Sequence, residues 1–127
     1  MTLPSRLVLV VDDSSDCAET LQIALEALPN TEVRICLDAR LVGRLLEANA
    51  DRLSAVVTDL HFSQSDGFDV IKMVRADARF ARVPIVLISG DSDPRIPERA
   101  LACGASAWFA KPWSPAAVRR KLEELLC

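Results

Sequence analysis

The sequence predicts an α/β fold: one parallel five-stranded sheet with helices on both faces, a (βα)5 doubly wound sandwich. Three observations lead to this prediction. Short apolar runs alternate along the chain with segments that have helical spacing. Three of the five runs lack alternating polarity, which is typical of strands buried on both faces of a parallel sheet. The connections are short, so right-handed crossovers should join successive strands.

Strands and helices are then predicted in order from the apolar residues. The expected strands cover residues 7–11, 33–37, 55–58, 84–88 and, more weakly, 107–110. Four of the helices show a one-sided apolar face. These faces are Ala18, Leu21, Leu25 and Leu28; Leu41, Leu45 and Ala48; Phe68, Ile71 and Val74; and Val118, Leu122 and Leu125.

The ends of several helices also carry recognisable signals. The last helix should begin at Ser114-Pro115, because the hydroxyl can cap it and proline is tolerated at the first helical position. Pro29-Asn30 and Gly104 are expected to stop the helices that precede them.

The fourth helix carries prolines at its expected start. If Asp93 were its N-cap, Pro97 would have to supply the first intrahelical N–H, which proline lacks. Pro94 lies in the same segment. We therefore expect this helix to begin late or to be distorted.

Composition excludes several classes of function. A chain of 127 residues fits one domain, predicted here as residues 1–127. The net charge is −3 and no basic stripe is present, which argues against direct binding to nucleic acid. No apolar run approaches the length of about 20 residues that spans a bilayer, and residues 1–6 do not resemble a signal peptide. We expect a cytoplasmic protein without membrane contact.

The cysteines do not suggest a metal site or a disulfide framework. Cys17, Cys36, Cys103 and Cys127 are dispersed without C-x-x-C spacing, and the chain has a single histidine. Reduced thiols are the expected state.

Polar residues follow four of the five predicted strands. In open parallel sheets, ligands bind beyond the carboxyl ends of the strands, so these residues should meet at one edge. They are Asp12, Asp13 and Ser14 after the first strand, Asp59 after the third, Ser89 after the fourth and Lys111 after the fifth.

Three clustered carboxylates repel one another unless a cation compensates them. Because Mg²⁺ prefers oxygen ligands, Asp12, Asp13 and Asp59 are its candidate ligands. A carboxylate can also accept a phosphoryl group while a metal and a lysine neutralise the transferred oxygens. Ser89 and Lys111 are placed to assist Asp59 in that step. Taken singly, each motif is more often a helix cap or an ordinary turn than a site. Their joint occurrence at the ends of four strands favours the functional interpretation.

These residues make the sequence resemble the receiver domains of two-component response regulators over residues 7–126. The motifs that carry the resemblance are Asp12-Asp13, Asp59 with Asp66-Gly67 eight residues on, Ser89-Gly90 and Lys111-Pro112. The resemblance implies a flavodoxin-like strand order, 2-1-3-4-5. It also implies a phosphorylation switch rather than an enzyme, partnered by a sensor histidine kinase or a histidine phosphotransfer protein.

The resemblance also implies a role for each residue. Asp59 would accept the phosphoryl group. Asp13 would ligate Mg²⁺ directly, Asp12 mainly through water, and His61 through its backbone carbonyl. Lys111, preceding a cis peptide bond to Pro112, would pair with Asp59 and then with the phosphate.

The remaining implied roles concern the switch and its rate. Ser89 would move its hydroxyl onto the phosphate, Gly90 would leave the acceptor accessible, and Trp108 occupies the aromatic switch position. His61 and Asp91 would overlook the site and influence the hydrolysis of the phosphate. An equally weighted alternative gives His61 no role beyond its carbonyl.

Two positions depart from the usual family pattern. Phe62-Ser63 stands where Met-Pro is common, and Trp108 where Tyr or Phe is commoner. The alternative for Trp108 is surface packing beside Trp113. The prolines of the fourth helix fall on the face through which such domains usually signal.

Other classes of function fit the sequence less well. An aspartate-nucleophile phosphohydrolase needs an Asp-x-Asp-x-Thr-like run after the first strand, and residues 11–15 do not match it. A flavin-binding module needs a phosphate loop there, which is also missing. Only Cys127 follows Leu126, so output is expected through a partner, or else the chain is a receiver from a longer hybrid kinase or regulator.

Overall fold

Strands and helices alternate along residues 4–62 and 65–126, which are the residues that the structure, a computed structural model, describes. The strands are β1 (Arg6–Val11), β2 (Thr31–Cys36), β3 (Leu53–Asp59), β4 (Ile85–Ser89) and β5 (Ala107–Ala110). The helices are α1 (Ser15–Leu25), α2 (Val42–Ala48), α3 (Gly67–Arg75), α4 (Ile96–Cys103) and α5 (Pro115–Leu126). Short 3₁₀ turns at Ala39–Leu41 and Ala78–Phe80 precede α2 and β4. Residues 1–3, Ser63, Gln64 and Cys127 lie outside the described residues.

The five strands form one parallel sheet in the order β2-β1-β3-β4-β5, which confirms the predicted fold and strand order. The register pairs Val11 with Thr58, and Ser89 with Ala110. The carboxyl ends of β1, β3, β4 and β5 therefore reach the same edge of the sheet. This edge holds the polar residues that follow those strands.

The central strands lack alternating polarity because both faces of the sheet are covered. Leu7, Leu9 and Val11 of β1 pack on one side with the apolar faces of α2, α3 and α4. Val8 and Val10 pack on the other side with α1 and α5. The same alternation continues through β3 and β4.

The ends of α4 and α5 follow the sequence signals, whereas α1 ends at Leu25, short of Leu28 and before the predicted stop at Pro29-Asn30. α4 begins at Ile96, so Pro97 lies in the first turn, where its missing N–H needs no intrahelical partner. The late start is confirmed. The same helix ends at Cys103, and its C-cap residue Gly104 has a left-handed φ of 111°. At α5, Ser114 Oγ accepts the backbone N–H of Ala117 at 3.3 Å.

The predicted buried face of α2 is wrong by one position. Leu41 is 43% exposed and Ala48 is also exposed, whereas Val42 and Leu46 are buried against the sheet. Leu45 is only partly buried. Leu41 lies in the 3₁₀ turn Ala39–Leu41 and not in α2, which begins at Val42, so the helical spacing starts one residue later than predicted.

Smaller differences concern strand edges. β2 ends at Cys36, and Leu37 beyond it is 47% exposed. β4 begins at Ile85 rather than Pro84 and extends to Ser89. Among the described residues, Cys17, Cys36 and Cys103 are free thiols, and no described helix is long and apolar enough to cross a membrane.

Candidate functional site

Three carboxylates meet at the carboxyl edge of the sheet. Asp12 and Asp13 follow β1, and Asp59 is the last residue of β3. Each offers an oxygen within 4.8 Å of the others. Asp12 is 5% exposed and Asp59 is 9% exposed, while Asp13 is exposed to solvent. The sequence predicts these three carboxylates as neighbours at one edge, and the structure brings all three together.

The N-cap of α1 is a residue outside the group of three carboxylates. Asp12 Oδ1 accepts the backbone N–H of Ser14 at 2.9 Å, and Ser14 Oγ in turn accepts the N–H of Cys17. Ser14 is thus the N-cap of α1. Asp13 and Asp59 take no part in that cap, so capping does not account for the acidic group.

Burial raises the pKa of the Asp12 carboxyl above its ordinary value. The Ser14 N–H lowers that pKa, and the charge of Asp59 raises it again, so the net direction is upward. Keeping Asp12 charged in this site therefore costs free energy, which a bound cation would offset.

Lys111 brings the compensating charge from the loop after β5. Its Nζ lies 3.1 Å from Asp59 Oδ1, and its backbone N–H donates to the carbonyl of Ser89 at 2.8 Å. Burial lowers the pKa of the Lys111 ammonium, but the hydrogen bond and charge of Asp59 outweigh burial and raise it. The Lys111–Pro112 peptide bond is cis, as the resemblance implied.

The donor set fits magnesium. Its members are carboxylate oxygens, with no thiolate or imidazole in the group, and hard oxygen donors select Mg²⁺ over softer metals. His61, whose carbonyl was the further candidate ligand, lies two residues beyond Asp59 with its side chain exposed.

Two residues that sequence analysis left without a role fix the backbone of Asp59. The hydroxyl of Thr58, which is fully buried, donates to the Asp59 carbonyl at 2.9 Å. Gly67 packs against the same carbonyl, since an added Cβ would lie 2.5 Å from it. The Gly67 N–H also donates to the carbonyl of Leu60 at 2.6 Å. The Asp66-Gly67 pair was the available signal, but nothing in the sequence showed which backbone it approaches.

Ser89 and Gly90 lie at the end of β4 beside the lysine. Ser89 is 1% exposed, and its Oγ accepts the backbone N–H of Asp91 at 3.0 Å. A Cβ added at Gly90 would lie 3.4 Å from Cδ of Lys111, so this exposed glycine leaves room for the lysine side chain.

His61 and Asp91 meet above the site. His61 Nε2 lies 3.1 Å from Asp91 Oδ2, and both side chains are accessible to solvent. The hydrogen bond from His61 lowers the pKa of Asp91, after the larger effect of the Asp93 backbone N–H. The contact joins the loop after β3 to the loop after β4.

The two tryptophans lie on opposite faces of the sheet. Trp108 packs against the cluster under α3 and α4, and Trp113 packs against the cluster under α1 and α5. The alternative in which Trp108 packs beside Trp113 is therefore wrong. Among the described residues, the indole Nε1 of Trp108 is buried and has no hydrogen-bond partner.

The strand order and the acidic group at the carboxyl edge define a receiver-type α/β domain. The family model of the response regulator receiver domain matches residues 8–123, and the chain belongs to this family. Receiver domains of this kind are signalling switches in two-component systems, bind Mg²⁺ at an acidic pocket and interact with histidine kinases or phosphotransfer partners.

Individual relatives agree with this assignment. The chain is 32% identical over 119 residues to chemotaxis protein CheY1 of Helicobacter pylori, covering 94% of this chain and 95% of the relative. It is 27% identical to the transcriptional regulatory protein GltR of Pseudomonas aeruginosa, covering 99% of this chain and 51% of that protein. The solved structure of chemotaxis response regulator CheY4 of Vibrio cholerae superposes with a TM-score of 0.80 at 26% identity, covering 95% and 98% of the two chains.

Proposed function

We propose that this chain is a single receiver domain, residues 1–127, that accepts a phosphoryl group on Asp59 with Mg²⁺ bound. The phosphodonor is a sensor histidine kinase or a histidine phosphotransfer protein of the cytoplasm. The observation that carries the proposal is the Lys111 Nζ–Asp59 Oδ1 contact of 3.1 Å beside the Asp12 and Asp13 carboxylates. The Asp59 carboxylate is thus paired with the Lys111 ammonium, while the Asp12 and Asp13 carboxylates are available to a metal ion.

The chemistry follows from the charges in the site. A carboxylate oxygen of Asp59 attacks the phosphorus of the phosphohistidine, the P–N bond breaks, and the histidine leaves with the bonding electron pair. Asp13, Asp59 and the His61 carbonyl would hold Mg²⁺ directly and Asp12 mainly through water, and the bound ion would supply positive charge for the phosphoryl oxygens. Lys111 is already within reach of Asp59 and supplies the other positive charge.

The switch residues belong to the same proposal. Ser89 turns its hydroxyl from Asp91 to a phosphate oxygen, and Gly90 keeps the acceptor open to the partner. Trp108, which packs on the cluster under α4, follows the change at Ser89. His61 and Asp91 set how fast water removes the phosphate. Output passes through a protein partner; the GltR match, about half of that protein's length, makes a receiver of a longer regulator the alternative.

Phosphorylation is tested with acetyl phosphate and Mg²⁺, followed by intact-mass spectrometry. We expect the wild type to gain one phosphoryl mass and Asp59→Asn to gain none. Chelation of Mg²⁺ should suppress the gain, because the incoming phosphoryl group would otherwise join three unscreened carboxylates.

Asp51→Asn serves as the matched control, since Asp51 is an exposed carboxylate in the turn before β3. It should be phosphorylated like the wild type. Addition of a phosphoryl group to Asp59→Asn, or turnover of a phosphomonoester by the wild type, would contradict the assignment.

A further inference from the structure

The loop between β4 and α4 is built on side-chain oxygens at every second residue. Ser89, Asp91 and Asp93 each accept the backbone N–H of the residue two positions further on. Asp91 N lies 3.0 Å from Ser89 Oγ, Asp93 N lies 2.9 Å from Asp91 Oδ1, and Arg95 N lies 2.9 Å from Asp93 Oδ1. The intervening residues, Gly90, Ser92 and Pro94, are exposed.

This series of hydrogen bonds ends at the start of α4. Arg95 is the N-cap residue of α4, and its carbonyl accepts the N–H of Arg99. The Asp93 carbonyl accepts the N–H of Ile96 at 3.1 Å, and its carboxylate holds the Arg95 guanidinium at 2.8 Å. Ile96 is buried in the core. Asp93 therefore fixes the backbone, the cap and the first buried side chain of α4.

The series begins at Ser89, the only one of the three side chains that is fully buried at the site. Backbone N–H groups in a loop have no strand partner, so these side-chain oxygens determine its conformation. When Ser89 Oγ is withdrawn, Asp91 N loses its acceptor. The turn that follows, in which Asp91 Oδ1 accepts the N–H of Asp93, is then no longer held in place through the backbone of Asp91.

We propose that Ser89, Asp91 and Asp93 form a hydrogen-bond relay that transmits the position of the Ser89 hydroxyl to the first turn of α4. Asp93 is its positioning residue. The inference rests on the proposed function in one respect, namely that phosphorylation moves the Ser89 hydroxyl. The relay itself is a property of the unmodified chain.

Amide hydrogen exchange measured by NMR tests the relay without phosphorylation. Ser89→Ala removes the first acceptor, and we expect exchange at Asp91, Asp93 and Arg95 to rise about three- to tenfold, as for loss of one hydrogen bond. Ser92→Ala, an exposed residue of the same loop outside the relay, should leave these rates unchanged. Amides of β1 report global unfolding and should not change in either variant. A rise confined to Asp91, or equal rises in both variants, would overturn the relay.

Beryllofluoride with Mg²⁺, which mimics the phosphoryl group, tests transmission. In the wild type it should raise exchange at Arg95 and Ile96. Asp93→Ala removes the last acceptor of the relay. In this variant, exchange at Arg95 and Ile96 should be fast before beryllofluoride is added and should not change when it is added. Asp93→Asn keeps an acceptor oxygen and should respond like the wild type. A full response in Asp93→Ala, or no response in Asp93→Asn, would overturn the proposal.

The two proposals fail differently. Mass spectrometry after acetyl phosphate treatment reports the Asp59 modification in every variant, and Asp93→Ala should still be modified because Asp93 does not contact the carboxylate group. Absence of modification in the wild type would refute the phosphoacceptor role. The Ser89→Ala exchange rates would then still decide whether the relay exists.

Discussion

At Asp12, the requirements of folding and of metal binding act in opposite directions. The carboxyl is nearly buried beside Asp59, and its raised pKa records the cost of keeping it charged there. Folding without a metal would favour a neutral side chain at this position, whereas Mg²⁺ requires the charge. A site that binds a cation thus lowers the stability of the metal-free protein.

We therefore expect Asp12→Asn to stabilise the metal-free protein by about 0.5–2 kcal/mol, the range of substitutions that relieve such costs. Asparagine keeps an oxygen that can accept the Ser14 N–H and removes the charge. Urea denaturation in EDTA measures the change, and Asp51→Asn, exposed and outside the acidic group, should have little effect. A loss of stability in Asp12→Asn would contradict this account.

The sign of the pH dependence follows. A folded-state pKa above the unfolded value means that the charge of Asp12 is destabilising above that pKa and the penalty disappears as pH falls through it. The advantage of Asp12→Asn should be full at neutral pH and should vanish in acid. A difference that grows as the pH falls would exclude burial as its cause.

His61 distinguishes side-chain from backbone roles. Its imidazole Nε2 lies 3.1 Å from Asp91 Oδ2, between the loops that follow β3 and β4. An imidazole there can orient a water for attack on the phosphate, so His61→Asn, which retains the backbone carbonyl, should slow the loss of phosphate from the phosphorylated protein. Intact-mass spectrometry over time measures this decay. Equal rates of phosphate loss in the two proteins would leave His61 with its carbonyl alone.

Among the residues of the site, the sequence predicted those whose charge is unusual next to an apolar segment. Asp12, Asp59 and Lys111 stand out because a charged side chain follows each of three apolar runs that predict strands. Thr58 and Gly67 act through the backbone of Asp59, and their effect depends on which atoms the fold brings close. Sequence spacing carries no information on that approach.

At the scale of the elements, Gly67 allows the start of α3 to approach the end of β3 closely. An added Cβ at Gly67 would lie 2.5 Å from the Asp59 carbonyl and 2.8 Å from the Leu87 side chain. Gly67→Ala should therefore destabilise the protein by about 1–3 kcal/mol, as overpacking does. It should also slow phosphorylation of Asp59, because the backbone of the acceptor must move.

Gly43 in α2 is the matched control. A Cβ there meets only the Met73 sulfur at 3.7 Å, an ordinary contact. Gly43→Ala should stabilise the helix by about 0.5–1 kcal/mol and leave phosphorylation unchanged. Urea denaturation and the rate of mass gain with acetyl phosphate measure both variants. Equal effects of the two substitutions would show that close approach at Gly67 is not the cause.

Two helices show when an element can be predicted. The late start of α4 follows from proline chemistry, which holds in any fold. The buried face of α2 could not be derived, because Leu41, Val42, Leu45 and Leu46 provide two overlapping apolar stripes. In the structure Leu41 belongs to the preceding 3₁₀ turn, where Asp38 accepts the N–H of Arg40, and the stripe with Val42 and Leu46 is the one that is buried.

For the whole molecule, the sequence determines more of the topology than of the geometry. Apolar runs without alternating polarity required a sheet covered on both faces, and the strand ends then had to share an edge. The contact between Lys111 and Asp59 joins residues 52 positions apart and depends on the register of β3, β4 and β5. That register is set by packing across the whole sheet, so the residue pattern alone predicted only the shared edge, and the contact itself was implied by the resemblance to receiver domains.

The same convergence predicts that metal binding stabilises the whole fold. Asp12 and Asp13 after β1 and Asp59 at the end of β3 would hold Mg²⁺ together, so the site would exist in the folded chain and not in the unfolded one. At a free concentration about 100 times the dissociation constant, it should add about 2.7 kcal/mol to the free energy of unfolding. Urea denaturation with Mg²⁺, compared with EDTA, measures the difference.

Two controls distinguish stabilisation by Mg²⁺ bound at the carboxylate group from general screening of the net charge of −3. Sodium chloride at equal ionic strength screens exposed charges without occupying the carboxylate group, so it should stabilise far less. Asp12→Asn should lose most of the stabilisation by Mg²⁺, because it removes one of the three carboxylates of the group. Asp51→Asn, which lies outside the group, should keep that stabilisation. An equal gain from sodium chloride, or a full gain in Asp12→Asn, would place the effect on the surface and not at the carboxyl edge of the sheet.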